Sequence, residues 1–555
     1  MIKKVLLVGL LGLCASVTTN KETDFQREAV LEPTDGFTKG YTQQNANEVA
    51  DNPRPDNLPA GTILGKGCTT AFALDEDCDG YGVGEGYVLG PDADDNDPAV
   101  NTPDSVLTKY GTIQNFLKTA KGYKANNIYY MAVEGNDRGS GTIGAPFKTW
   151  AKMLSKLKPG DVGILREGIY QLDSPSSISR LIGSEGNEMV AMAYPGEKVV
   201  LDTINVAISF RSSYCYVVDG FIITNTRNPA FGWGVSLGMS HDGVFKNCEV
   251  RNFAYPTGMQ DMHNLLIENN IFHDMKEHGL YLGARNLPNS DLTIRKNLFY
   301  HNGVEEKYPG FQHNGRITNL VFEDNIIHSN GQKGISLLMG VCDSIFKNNL
   351  IFNNNGGIIF WIYPGACYKG KNQGICPYTQ SNNLFYHNTI WVGLYNQDGI
   401  IGIDGEPRLN PAIQFSIADG LPVEKHSMNG NTFAGNIIYT TEGASLNLGY
   451  WGKTTTVKEN FIYRQGGDAK IIQSTDGAFS FHGIESYSPL INGNKFGEPG
   501  FEDVSFDYST DAEKFDFHLV SDSPAIGYGY YSQSTKKMKQ HSNSGPSGVI
   551  TSTAH

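Results

Sequence analysis

Residues 244–273 read VFKNCEVRNFAYPTGMQDMHNLLIENNIFH, and one short pattern occurs twice in them: an apolar run, an Asn, a second apolar run, then a turn. It returns as TIRKNLF at Asn297, VFEDNII at Asn325, IFKNNLI at Asn349 and LFYHNTI at Asn388. With Asn247 and Asn270 as the first rungs, successive Asn residues lie 23, 27, 28, 24 and 39 positions apart. That is the period of a solenoid with insertions. The Asn residues take one turn position, where stacked amides hydrogen-bond from coil to coil. FAGNIIY at Asn436 and KENFIY at Asn460 continue the series.

Each coil also has a strand after its turn: HGLYLGAR from His278, PGFQHNGR from Pro309, KGISLLMG from Lys333 and GIIFWIYPG from Gly357. Aligning their glycines stacks Leu280, Phe311, Ile335 and Ile358 inward and places Tyr281, Gln312, Ser336 and Ile359 outward. His278, Tyr281, Arg285, His313, Arg316 and Lys333 are then expected on one exposed patch spanning three coils. Such a mixture suits removal of the C5 proton of a uronic acid, whose carboxylate must be neutralised by Arg or a cation while His, Lys or Tyr serve as base and acid. Asp261, His263, Gln312, Trp361 and Tyr363 are candidate substrate contacts, and Trp391 and Tyr395 further surfaces for stacking on sugar rings. Hydrolysis needs two facing carboxyl groups, and only Asp261, Glu277, Asp404 and Glu406 offer them here.

The net charge of −14 is concentrated at residues 21–110, with 6 Lys/Arg against 18 Asp/Glu. The repeat region balances 12 against 12, so it has no field to recruit nucleic acid. Residues 1–20, with Lys3, Lys4 and a short apolar run before Cys14, read as an export signal, and LLGLC resembles a bacterial lipobox that would anchor the chain through Cys14. The expected location is therefore outside the cell or on its surface. Export permits disulfides, and Cys68/Cys78 and Cys367/Cys376 are close enough in sequence to staple loops. Cys215, Cys248 and Cys342 read as small buried hydrophobes.

Residues 21–66 have the composition of a tether. In 67–104, Asp75, Asp77 and Asp79 alternate before Gly80, and Asp92, Asp94, Asp95 and Asp97 follow, a density of carboxylates suited to Ca²⁺. The stretch resembles the Asp-rich calcium motifs of bacterial surface proteins, kin to thrombospondin type 3 repeats. It departs from them at Ala93 and Cys78, which implies that Cys68 to Cys78 replaces the usual bridge. Residues 105–127 read as a connector helix, and an amphipathic helix from about Thr149 as a plug for the solenoid's open end.

Tyr129, Tyr130, Gly135, Asp137, Gly141, Pro146, Phe147, Lys148, Pro159, Gly160, Asp161, Gly168 and Tyr170 resemble the N-terminal entry of right-handed parallel β-helix proteins of the pectate-lyase-like group. Asp516, His518, Leu519, Ser523, Pro524, Ala525 and Ile526 look like that group's closing coil. The resemblance implies an all-β fold, a single-stranded right-handed parallel β-helix over 128–531 with an N-terminal capping helix, and a disordered tail at 532–555. Lyases, epimerases, hydrolases and inert adhesins share this fold. The expected function is a polysaccharide lyase or epimerase acting on a uronate polymer as a monomer. A non-catalytic polysaccharide-binding adhesin and a glycoside hydrolase are the alternatives.

Overall fold

A computed structural model describes residues 63–530 except 66, 85, 173–179, 204–207, 228–231, 233, 256, 285–287, 363–378, 394–409, 419–420, 442 and 505–511. The expected signal with Cys14, most of the tether, the Cys367/Cys376 pair, Tyr395, Asp404, Glu406 and the tail lie outside the described residues.

The described strands form three long sheets of 15, 12 and 11 strands, called here the first, second and third sheet. One coil shows the path: Asn289–Arg295 in the first sheet, Leu298–Tyr300 in the second, Phe311–Asn314 in the third, then Val321–Glu323 back in the first. Successive coils pair in parallel, and the fold is a right-handed parallel β-helix; the last strand of the third sheet, Gly477–Phe479, folds back antiparallel on Ile472–Ser474. Inward side chains stack in rows. In the first sheet, Ile267, Ile294, Phe322, Phe346, Phe385, Phe433 and Val457 are register partners, and the rings of Phe346 and Phe385 lie 4.5 Å apart.

The corner between the first and second sheets carries the Asn ladder. Nδ2 of Asn270, Asn297, Asn325, Asn349, Asn388, Asn436 and Asn460 each donates to Oδ1 of the next Asn, at 2.8–3.1 Å, and the series ends on Asn494. The backbone N–H of each donates to the same oxygen, so the buried amides are satisfied coil by coil. Asn247 is not a rung. It has φ 54°, like Asn269, and accepts from the Asn269 amide, while Cys248 takes the ladder position and donates its N–H to Asn270 Oδ1 at 2.9 Å.

Helix α1 (Pro103–Tyr110) and helix α2 (Ile113–Thr119) divide the stretch expected as one connector helix, because Gly111 ends the first at φ 73° and Thr112 caps the second. Helix α3 (Trp150–Leu154) covers the N-terminal coil with Trp150 and Met153, as its amphipathic pattern predicts. At the other end, Ile484 of helix α4 (Phe481–Tyr487) joins the same core. The stretch expected as a closing coil adds none. Phe501–Asp503 and Asp516–Leu519 pair antiparallel, and Phe515 and Phe517 pack on Phe352 of the second sheet's outer face.

The Asp-rich segment covers the same outer face further back. Phe72 packs on Tyr300 and His328, the Ala71 carbonyl accepts from His328 Nε2 at 2.7 Å, and Lys296 pairs with Glu76. Cys68 and Cys78 are bonded, and Cys215, Cys248 and Cys342 are buried thiols. Among the described residues no helix is long and apolar enough to cross a membrane.

Candidate functional site

The third sheet presents its outer face between two corners. Tyr281, Gln312, Ser336, Ile359, Gln414, Asn447 and Gln473 are register partners along it, one per coil. Leu280, Phe311, Ile335 and Ile358 are the inward row, as the glycine alignment places them. Trp361 stands in the next outward row and is 39% exposed.

Of the six residues expected on one exposed patch, five are described, and they do not come together there. His313 alternates with Phe311 and therefore points inward, between Leu282 and Leu337. It is 0% exposed, neither ring nitrogen has a hydrogen-bond partner, and burial lowers its pKa to about 3. His278 is 4% exposed at the corner entering the sheet, with its ring 4.5 Å from Tyr308 and 5.4 Å from Tyr281. Burial lowers its pKa to about 4 against the opposing pull of Gln312, and Glu277 Oε2, 3.7 Å from Nδ1, is too far to bond. Lys333 sits at the same corner two coils on, 6% exposed. Its Nζ donates to the Asn355 carbonyl at 3.1 Å, and burial lowers its pKa to about 7.

Arg316 is exposed at the corner leaving the sheet. Lys333 and Arg316 are thus separated by a four-residue strand, roughly 13 Å in length. Arg285 and Tyr363 lie outside the described residues. Asp261, buried with φ 54°, turns the chain into the first sheet, where His263 Nδ1 meets Ser290 Oγ at 2.9 Å, so neither belongs to the outward rows of the third sheet. Asp261 and Glu277 accordingly lie at different corners and do not make a hydrolytic pair. Tyr308, which packs on His278, was not singled out from the sequence; it sits in a turn without periodicity, and only folding reveals it.

The charges of the repeat region are spent elsewhere. Along the first sheet, Lys246 Nζ is 3.7 Å from Asp219, Arg295 is 2.8 Å from Glu268 and Lys347 is 2.5 Å from Glu323. The described strands of the third sheet contain no Asp, Glu, Lys or Arg at all.

The Asp-rich segment brings its two carboxylate clusters together. Oxygens of Asp75, Asp77 and Asp95, and of Asp77, Asp79 and Asp92, lie within 4.8 Å of one another in each set, sharing Asp77. Oδ2 of Asp77, Asp79 and Asp92 is buried with no hydrogen-bond partner. Burial, then Asp79, raises Asp77 to about 7; burial, then Asp79 and Asp77, raises Asp92 to about 8; burial, then Asp92, holds Asp95 well above the usual carboxylate range. Crowded, orphaned carboxylate oxygens are the donor set of a hard cation. Asp94 and Asp97 turn instead to Lys121, at 3.7 Å, and Lys109.

Residues 129–359 match the family described as Pel9A-like, right handed beta helix region. No curated protein matches the chain. Among solved structures, the complex of XylC with xylose is similar with TM-score 0.44 and 12% identity, over 68% of this chain and 87% of that one. The A-module of the Azotobacter vinelandii mannuronan C-5 epimerase AlgE4 gives 0.40 and 12%, over 60% and 86%. The pectate lyase Pel9A gives 0.40 and 15%, over 74% and 92%.

Proposed function

We propose that this chain is an exported carbohydrate-active β-helix protein of the polysaccharide lyase or epimerase kind, acting on a uronate-containing polymer laid along the third sheet. Lys333 carries the reading: an amine that burial brings to about 7 is available as a base at neutral pH, and it stands at the corner of the uncharged face. The match of residues 129–359 to the Pel9A-like family agrees with it.

In the proposed step the neutral Lys333 amine takes the C5 proton. The electron pair left behind spreads onto the uronate carboxylate, whose charge a cation at the sugar must offset, since Arg316 stands roughly 13 Å from Lys333. The pair then expels the oxygen at C4, protonated by Tyr281, to give an unsaturated uronate, or C5 regains a proton from the opposite side to give the epimer. His278 stays uncharged and holds Tyr281 through ring packing. We propose further that Ca²⁺ occupies the two carboxylate sets as a structural cofactor, with Asp75, Asp77, Asp79, Asp92 and Asp95 as ligands, and that Cys14 is the point of any lipid anchor.

The test is incubation with pectate, alginate and glycosaminoglycan panels, with and without Ca²⁺, followed by absorbance of the unsaturated product and by epimer ratios. Product that disappears in Lys333→Ala with folding retained supports the reading, and a blank panel sinks it. The uncharged outer face with its exposed Trp361 favours a second reading, a surface protein that binds polysaccharide without turnover; retained binding with no product selects it.

A further inference from the structure

Beyond Lys333 the outward face of the third sheet stays uncharged in its described strands and gains an exposed ring. The next four coils present Trp361, then Gln414 with Ser416, then Asn447, then Gln473, each a register neighbour of the last coil. The amides of Gln414 and Gln473 make no hydrogen bond among the described residues, and both side chains reach solvent. Tyr450, 56% exposed, follows the strand Leu446–Gly449 two coils after Trp361, which sets the two rings roughly 10 Å apart along the axis at one strand spacing per coil. That is about the length of two pyranose residues.

The chemistry of this track selects its ligand. A side-chain amide both donates and accepts, and so does a sugar hydroxyl; a carboxylate only accepts, and the described strands of this face carry no countercharge. Exposed Trp and Tyr rings stack on the C–H faces of pyranoses. We propose that Trp361, Gln414, Asn447, Tyr450 and Gln473 form a subsite track for uncharged sugar residues, so that the polymer is a heteropolysaccharide in which neutral sugars accompany the uronate. The proposal rests on the reading of the third sheet as the polysaccharide face and narrows its substrate class.

The experiment measures binding of the full chain to polygalacturonate and alginate, to neutral galactan and mannan, and to polymers mixing uronate with neutral sugars. Mixed or neutral-block polymers should bind about tenfold tighter than the homopolyuronates, with little salt dependence. Trp361→Ala and Tyr450→Ala should each weaken that binding about tenfold, and Tyr450→Ala should leave binding of short uronate oligosaccharides unchanged. Gln414→Ala, a surface change that spares folding, should weaken it severalfold. Tightest binding to a homopolyuronate with steep salt dependence would overturn the proposal, as would unaltered binding in all three variants. Variant-sensitive binding without turnover would count against the catalytic reading alone.

Discussion

Lys333 Nζ donates to the carbonyl of Asn355 at 3.1 Å, and among the described residues no carboxylate balances it. Its pKa is about 7 in the fold against 10.5 when exposed. Below pH 7 the amine is charged in both folded and unfolded chains, and the full burial penalty applies. Between pH 7 and 10.5 only the unfolded chain keeps the proton, so stability rises with pH. Lys333→Met should therefore melt higher than the parent at pH 6, by about 2 kcal/mol or more, with the gap closing toward pH 10. Turnover by the parent should rise through pH 7 and fall at least about a hundredfold in the variant. A variant that melts lower at pH 6 would contradict the burial of an uncompensated charge.

His313 faces the opposite end of the scale. Its folded pKa of about 3 lies below the ordinary 6.5, so the fold loses stability as pH falls from 6.5 to 3, together with His278 and His328. His313→Leu removes two unpartnered nitrogens from an apolar row and should stabilise by about 1–3 kcal/mol at pH 7, and by more at pH 4. Thermal melts at the two pH values decide it.

Asn325 makes four side-chain bonds: its Oδ1 accepts from the N–H and the amide of Asn297, and its Nδ2 donates to Ile294 and Asn349. Asn325→Ala should cost about 2–5 kcal/mol. Asn319→Gly, at an exposed corner with φ 57°, should cost less than about 0.5 kcal/mol, because Gly accepts that backbone freely. Equal denaturation midpoints for the two would show that the ladder contributes nothing special.

Removing a cation from the Asp77 sets should release the segment that Phe72 and Glu76 hold against the second sheet. Chelator should lower the melting temperature, speed proteolysis within residues 67–100, and have no further effect on Asp77→Asn. With ligand at a hundred times its dissociation constant the stabilisation is about 2.7 kcal/mol. Identical cleavage with and without chelator would remove Ca²⁺ from the account.

The coil repeat and the inward and outward rows were legible because alternation and corner Asn residues are local signals. The first rung was not. Asn suits both the left-handed residue and the ladder residue after it, and the coil at Asn247 and Cys248 has only one Asn to assign. His313 lies in the inward row because alternation from Phe311 fixes its direction, whatever the chemistry of its ring. The ion pairs that Asp94 and Asp97 make with Lys121 and Lys109 were not legible, because those lysines lie outside the acidic run, after helix α2 and in helix α1. Likewise, nothing local in the acidic composition of residues 67–104 announces that the segment docks through Phe72.

The ladder bonds hold at 2.8–3.1 Å whether 24 residues separate two rungs, as from Asn325 to Asn349, or 48, as from Asn388 to Asn436. The corner is thus indifferent to what the chain does on the rest of its circuit. Segments added or lost between rungs leave the spacing of the neighbouring amides unchanged, so this scaffold can acquire new walls beside the third sheet without re-registering its corner.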